Sequence, residues 1–208
     1  LRAVNADAVR NLFEAARDAG AKRFVHVSTA MLYAPSEDAK CTEDTPLSPR
    51  GEASRSKLAA EELLRGNTSG PVAWTILRPA PLYGRRGRHY AAALLAVGPV
   101  MRLVTPVLPR PSGGPTATLV HAEDVARAAV FVLGRDETAF QIFNVADEDA
   151  LSLGDRVTET LRAYGLPSVP AGSLPRPVLD RIARLFVKRG AYQAVDRAAL
   201  AMWRLVVL

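Results

Sequence analysis

Between residues 4 and 77 the chain alternates between two hydrophobic periods, and that alternation limits the folds open to it. Val4, Val9, Leu12, Phe13 and Ala16 recur at helical spacing, and Ala19-Gly20 ends the run. Phe24-Val25-His26-Val27-Ser28-Thr29 is a short apolar run that ends in hydroxyls, so residues 23–29 read as a buried strand. Residues 51–65 return to helical spacing, with Leu58, Leu63 and Leu64 on the partly buried side. Val72 to Leu77 form a second apolar run, which Arg78-Pro79 stops. Strands separated by helices pair in parallel, because a parallel connection needs a long crossover. The expected fold class is therefore α/β, with a Rossmann-like doubly wound parallel sheet.

The rest of the chain is more broken. Residues 34–50 read as a polar, Pro-containing loop, 89–103 as a helix and 105–116 as a Pro/Gly-rich loop. A short strand is expected from Thr116 to Val120, then a helix over 125–134 with Asp124 as its cap. Gln141 to Val145 reads as a strand, and Ser152 caps a helix that runs to Tyr164. A Pro-rich stretch, 165–177, leads into an amphipathic segment with Leu179, Ile182, Leu185 and Phe186 on one face. The expected division is a partial dinucleotide-binding domain over 1–165, interleaved with substrate-lobe segments, and a C-terminal helical segment over 166–208.

With 208 residues and 49% hydrophobic content, the chain can build one large domain, or one domain and a small lobe. The net charge of +6 comes mostly from arginine, since only four of the 27 basic residues are lysine. No basic run with interleaved aromatics supports nucleic-acid binding. The excess reads as a solvated basic surface with a mild pull on anionic substrates. Cys41 is the single cysteine, which excludes an internal disulfide and fits a cytoplasmic setting. His26, His89 and His121 lack metal-ligand spacing, so no metal is expected. The sequence has neither a signal peptide pattern nor an apolar run long enough to span a bilayer. It opens at Leu1 inside a helical pattern, and reads as truncated there.

Residues 24–62 carry the chemistry. The Ser28-Thr29 strand end, Tyr33, and Ala53-Ser54-Arg55-Ser56-Lys57 on the following helix together resemble the active-site region of the extended short-chain dehydrogenase/reductase family. That family has a strand ending in Ser-Ser/Thr, a nearby Tyr-Gly, and Tyr-x-x-x-Lys on a helix. Leu77-Arg78-Pro79-Ala80-Pro81-Leu82-Tyr83-Gly84 is similar to its Leu-Arg-Pro-x-x-x-Tyr-Gly. Val120 to Ala126 resembles its Val-His-Val-x-Asp-Val-Ala, with His121 structural, and Phe143-Asn144-Val145 its later strand. Asn5 partly fits its Asn-x-x-Gly-Thr. The likeness runs over about residues 4–165.

The resemblance implies a role for each matched position. Thr29 is the hydrogen-bond donor to the substrate oxygen. Lys57 binds the nicotinamide ribose and acts electrostatically. Tyr33, Pro79 and Ala80 lie along the cofactor. Arg85 and Arg86, after Gly84, meet phosphates of a nucleotide-linked substrate. Ala53 stands where the family has its proton-transferring tyrosine, four residues before Lys57 and so on the same helix face.

The resemblance further implies NAD or NADP as cofactor. No Gly-x-Gly-x-x-Gly, the turn that seats a dinucleotide pyrophosphate, occurs in the 208 residues. Cofactor binding is thus expected to need residues upstream of Leu1. The implied function is NAD(P)-dependent oxidoreduction, epimerisation or dehydration of a secondary alcohol, a ketone or a nucleotide sugar, with a homodimer as one possible state. Two alternatives remain at this point. One is a non-catalytic relative that keeps the fold, which Ala53 favours. The other is a membrane-surface protein using Arg181, Arg184, Lys188 and Arg189 of the segment 178–189.

Overall fold

The computed structural model describes residues 2–34, 41–68, 70–85, 87, 108–114, 116, 118–149 and 151–173. Its strands are β1 (Arg23–Val27), β2 (Ala73–Pro79), β3 (Leu82–Tyr83), β4 (Leu108–Ser112), β5 (Val120–His121), β6 (Gln141–Val145) and β7 (Ser168–Ser173). Its α-helices are α1 (Ala8–Asp18), α2 (Gly51–Arg65), α3 (Ala122–Leu133) and α4 (Leu153–Ala163). A π-helical turn, Ala3–Asp7, leads into α1, and a 3-10 turn, Ala30–Leu32, follows β1. The described residues belong to two units, one of Leu1–Pro81 and Leu119–Asp147, the other of Leu82–Thr118 and Glu148–Leu208.

In the first unit β1, β2 and β6 form a parallel sheet in that order. Phe24 pairs with Trp74 and Val27 with Leu77, while Leu77 pairs with Phe143 and Pro79 with Val145 on the other side. Strand residues two apart share a face. Trp74 and Ile76 of β2 therefore point together toward α1 and α2. There they pack with Val9, Phe13, Ala60, Leu64 and Val72 in the main core. Phe24 meets Phe13 edge-on at 5.3 Å between ring centroids, and Trp74 meets Phe140 at 5.7 Å. The opposite face is tied by polar contacts: Thr75 Oγ1 donates to the Thr138 carbonyl at 2.7 Å, and Arg23 Nη2 to the Val132 carbonyl at the end of α3 at 3.0 Å. Of the α1 residues expected to face the core, Val9 and Phe13 are buried, whereas Val4 and Leu12 lie on the exposed side.

Several elements differ from expectation. β1 stops at Val27, and β2 continues through Arg78 to Pro79 because Glu61 neutralises the arginine inside the sheet. The strand expected over Thr116–Val120 is confined to Val120–His121, and Thr116 makes an isolated bridge to Ser152. Asp124 is not a cap. α3 begins at Ala122, and His121 caps it by accepting from the Glu123 amide, so Asp124 sits in the first turn and pairs with Arg127 at 3.1 Å. In the second unit β4 and β7 pair in parallel, although both lie in segments that read as proline-rich loops. Ser152 caps α4 as expected, accepting from the Asp155 amide at 3.1 Å. The Gly154 amide donates to the Gly113 carbonyl, and a Cβ on Gly154 would lie 2.8 Å from that oxygen. The expected helices over 89–103 and 178–189 lie outside the described residues.

Candidate active site

The first unit concentrates polar side chains at the C-terminal end of its sheet, the edge at which open α/β sheets bind ligands. Thr29 follows β1 in extended conformation, and its Oγ1 accepts from the Met31 amide at 3.1 Å, capping the 3-10 turn. That acceptor role leaves the Thr29 O–H free to donate. Lys57, in the middle of α2, donates from Nζ to the Val27 carbonyl at 2.9 Å. The ammonium is thereby pinned at the end of β1, two residues before Thr29, with two of its three N–H donors still to place. Burial pushes the Lys57 pKa down, and Glu61, one turn on, opposes that shift.

Ala53 lies one turn before Lys57 on α2 and is exposed. Its carbonyl accepts from Ser56 Oγ at 2.8 Å, and Ser56 Oγ in turn accepts from Asn5 Nδ2 at 2.9 Å. Asn5 thus ties the π-helical turn to the first turns of α2. Pro79 and Ala80 end β2, beside the end of β1. Both are buried, and the Ala80 amide is held by the Val145 carbonyl at 2.9 Å.

Sequence reasoning missed a buried network beneath this edge. Arg78 and Glu61 are 1% and 0% exposed, and Arg78 reaches Glu61 from Nη2 at 2.6 Å and from Nε at 3.1 Å. Arg78 Nη1 donates to the Tyr33 hydroxyl at 2.8 Å, and that hydroxyl donates to Asn144 Oδ1 at 2.8 Å. The Asn144 amide donates to Glu43 Oε1 at 2.7 Å, and Asn144 Nδ2 to the Cys41 carbonyl at 3.3 Å. Burial works against the Arg78 charge. Hydrogen bonds to Glu61 and Tyr33 outweigh it and hold the guanidinium pKa above its ordinary value. Tyr33, which the resemblance places along the cofactor, is buried, and its hydroxyl is committed to this network. One signal was available: Glu61 lies four residues after Lys57 on one helix face, and Arg78 is a lone charge in a buried strand.

Of the remaining expected residues, Arg85 is exposed and belongs to the second unit, while Arg86 lies outside the described residues. Among the described residues, no group of three or more His, Cys, Asp or Glu side chains could hold a metal, and no helix is long and apolar enough to cross a membrane.

The donors at the end of β1 fit a nicotinamide ribose and a substrate oxygen, being one fixed cation and one free hydroxyl. The family model for the NAD dependent epimerase/dehydratase family matches residues 2–146. The chain belongs to that family. Members bind NAD(P), and the chain's relatives and structural neighbours lie in the extended short-chain dehydrogenase/reductase family. A 3-diazoavenalumate denitrifying reductase of Streptomyces sp is 32% identical over 205 residues, covering 93% of this chain and 64% of its own length. The UDP-glucose 4-epimerase of Thermus thermophilus, solved with NAD, has TM-score 0.61 and 26% identity over 80% of this chain and 57% of that one. The dTDP-glucose 4,6-dehydratase DesIV of Streptomyces venezuelae shares the fold at TM-score 0.65 and 23% identity, over 83% of this chain and 54% of that one. The chain therefore spans between about half and two thirds of the length of these proteins.

Proposed function

We propose that the chain carries the nicotinamide-ribose and substrate-oxygen end of an NAD(P)-dependent oxidoreductase, epimerase or dehydratase. Its substrate class is a nucleotide sugar or a related secondary alcohol or ketone, the class named for the epimerase and dehydratase relatives. The observation that carries this reading is the Lys57 ammonium, fixed 2.9 Å from the Val27 carbonyl at the strand end that bears Thr29. When bound, the nicotinamide supplies or accepts the hydride. Thr29 donates its O–H to the substrate oxygen and holds it in place. Lys57 directs its remaining N–H donors to the ribose, and its charge favours a developing alkoxide. The methyl group of Ala53 moves no proton. Burial makes Lys57 a stronger acid than a solvated lysine, so Lys57, directly or through water at the open position above Ala53, is the proton source.

The test is turnover in a chain that continues upstream of Leu1 through a glycine-rich βαβ unit, assayed on nucleotide sugars and secondary alcohols. Turnover should be measurable, fall as the pH rises through the Lys57 pKa, and be lost in Lys57→Met. Ala53 also favours a second reading, a relative that binds cofactor without catalysis. NAD(P) binding with no turnover on any substrate would decide for it.

A further inference from the structure

The face of β1 that lies under α2 holds two polar side chains with a buried atom that lacks a partner among the described residues. His26 is 7% exposed and Ser28 is 5% exposed. Neither His26 Nε2 nor Ser28 Oγ has a hydrogen-bond partner among the described residues. Being two apart in the extended chain, they stand on one face, with Cα atoms roughly 7 Å apart. One or two water molecules are enough to bridge a span of that order. A buried hydroxyl or imidazole without a partner costs enough that native proteins satisfy nearly all such groups, by water where protein atoms do not serve.

We propose that His26 and Ser28 hold one or two buried waters between β1 and α2, in a hydration site on the inner side of Lys57. The groups around this site select its occupant. α2 contributes Lys57 and Glu61, and β2 contributes Arg78, whose donors go to Glu61, Tyr33 and the Glu43 carbonyl. The Lys57 charge disfavours a metal cation, and Glu61 disfavours an anion. Burial, with the Lys57 charge adding to it, lowers the His26 pKa to about 4, so the imidazole is neutral at pH 7 and can accept from or donate to water. The inference needs no catalytic activity of the chain and stands apart from the reading of Thr29 and Lys57 above.

The experiment is the thermal midpoint of Ser28→Ala in the 208-residue chain, where the sign decides. If Ser28 Oγ binds a water shared with His26, Ser28→Ala lowers the midpoint by roughly 3–6 °C. In a His26→Phe background, where the ring fills the site, the same change has little effect. If the hydroxyl is bare, its removal leaves the midpoint unchanged or raises it, and the proposal is overturned. An equal loss in both backgrounds also overturns it, because no water would then be shared. Should Ser28→Ala fail to fold, water–protein NOEs to the Ser28 amide and the His26 ring in the unaltered chain decide instead: their presence supports the site and their absence refutes it.

Discussion

At the scale of single residues, one titratable group beside the site responds to pH in a defined direction. His26 falls from a reference pKa of 6.5 to about 4, chiefly by burial. Between those values the unfolded chain binds a proton that the folded chain refuses, so stability is full above pH 6.5 and is lost as the pH falls toward 4. The whole effect is about 3 kcal/mol. Urea unfolding at pH 7 and pH 4.5 should show a clear drop, and His26→Phe should remove much of it. An unchanged slope in the variant would show that other groups carry the acid sensitivity. Position 53 offers the second residue-scale expectation. Tyr at 53 would share a helix face with Lys57, whose cation lowers a neighbouring phenol pKa. In a chain that binds cofactor, Ala53→Tyr should raise turnover by ~10²–10⁴-fold, and Lys57→Met in that background should abolish the gain. If the variant folds, binds cofactor and gains nothing, position 53 is not a latent acid–base site.

At the scale of elements, α2 is the piece whose placement matters most, since it carries Ala53, Lys57 and Glu61 together. Its apolar face packs through Ala60 and Leu64, but those contacts alone do not set its rotation and slide. The Glu61–Arg78 pair does so by joining α2 to the C-terminal end of β2, and Tyr33 and Asn144 extend the tie to the 3-10 turn and β6. Removing one partner of a buried pair leaves an uncompensated charge. Arg78→Met is therefore expected to cost about 3–5 kcal/mol in urea unfolding, and Glu61→Leu with Arg78→Met much less than the sum of the two singles. Additive losses would mean the pair is not energetically coupled. In the second unit Gly154→Ala should be destabilising by roughly 1–3 kcal/mol, because its Cβ would press on the backbone of Ser112 and Gly113 rather than on a movable side chain.

At the scale of the whole molecule, β1 borders the three-stranded sheet with β2 on one side only among the described residues, and Val27 is 38% exposed. An unpaired strand edge invites further pairing. The 208 residues contain no glycine-rich turn to present amide donors to a pyrophosphate. By itself this chain should therefore bind NAD(H) and NADP(H) poorly. Calorimetry that returned low-micromolar affinity for either would refute that expectation.

The alternation of helical and extended periods over residues 4–77 was enough to read the parallel α/β sheet, since side-chain period and crossover length are local properties. The spacing of Thr29, Ala53 and Lys57 was legible for the same reason: a strand end and an i, i+4 helix face need no knowledge of distant contacts. The division of burial among polar residues was not local. Arg78 looked like a strand stop, yet it continues β2, because Glu61, 17 residues earlier in the chain, neutralises it inside the fold. Nothing in the residues near Tyr33 announced that its hydroxyl is shared by Arg78 and Asn144, the latter 111 residues away. Asp124 looked like a cap, and His121 took the position because β5 ends there. At Arg78 and Tyr33 side chains far apart in sequence share one buried hydrogen-bonding network, and only the tertiary structure brings them together.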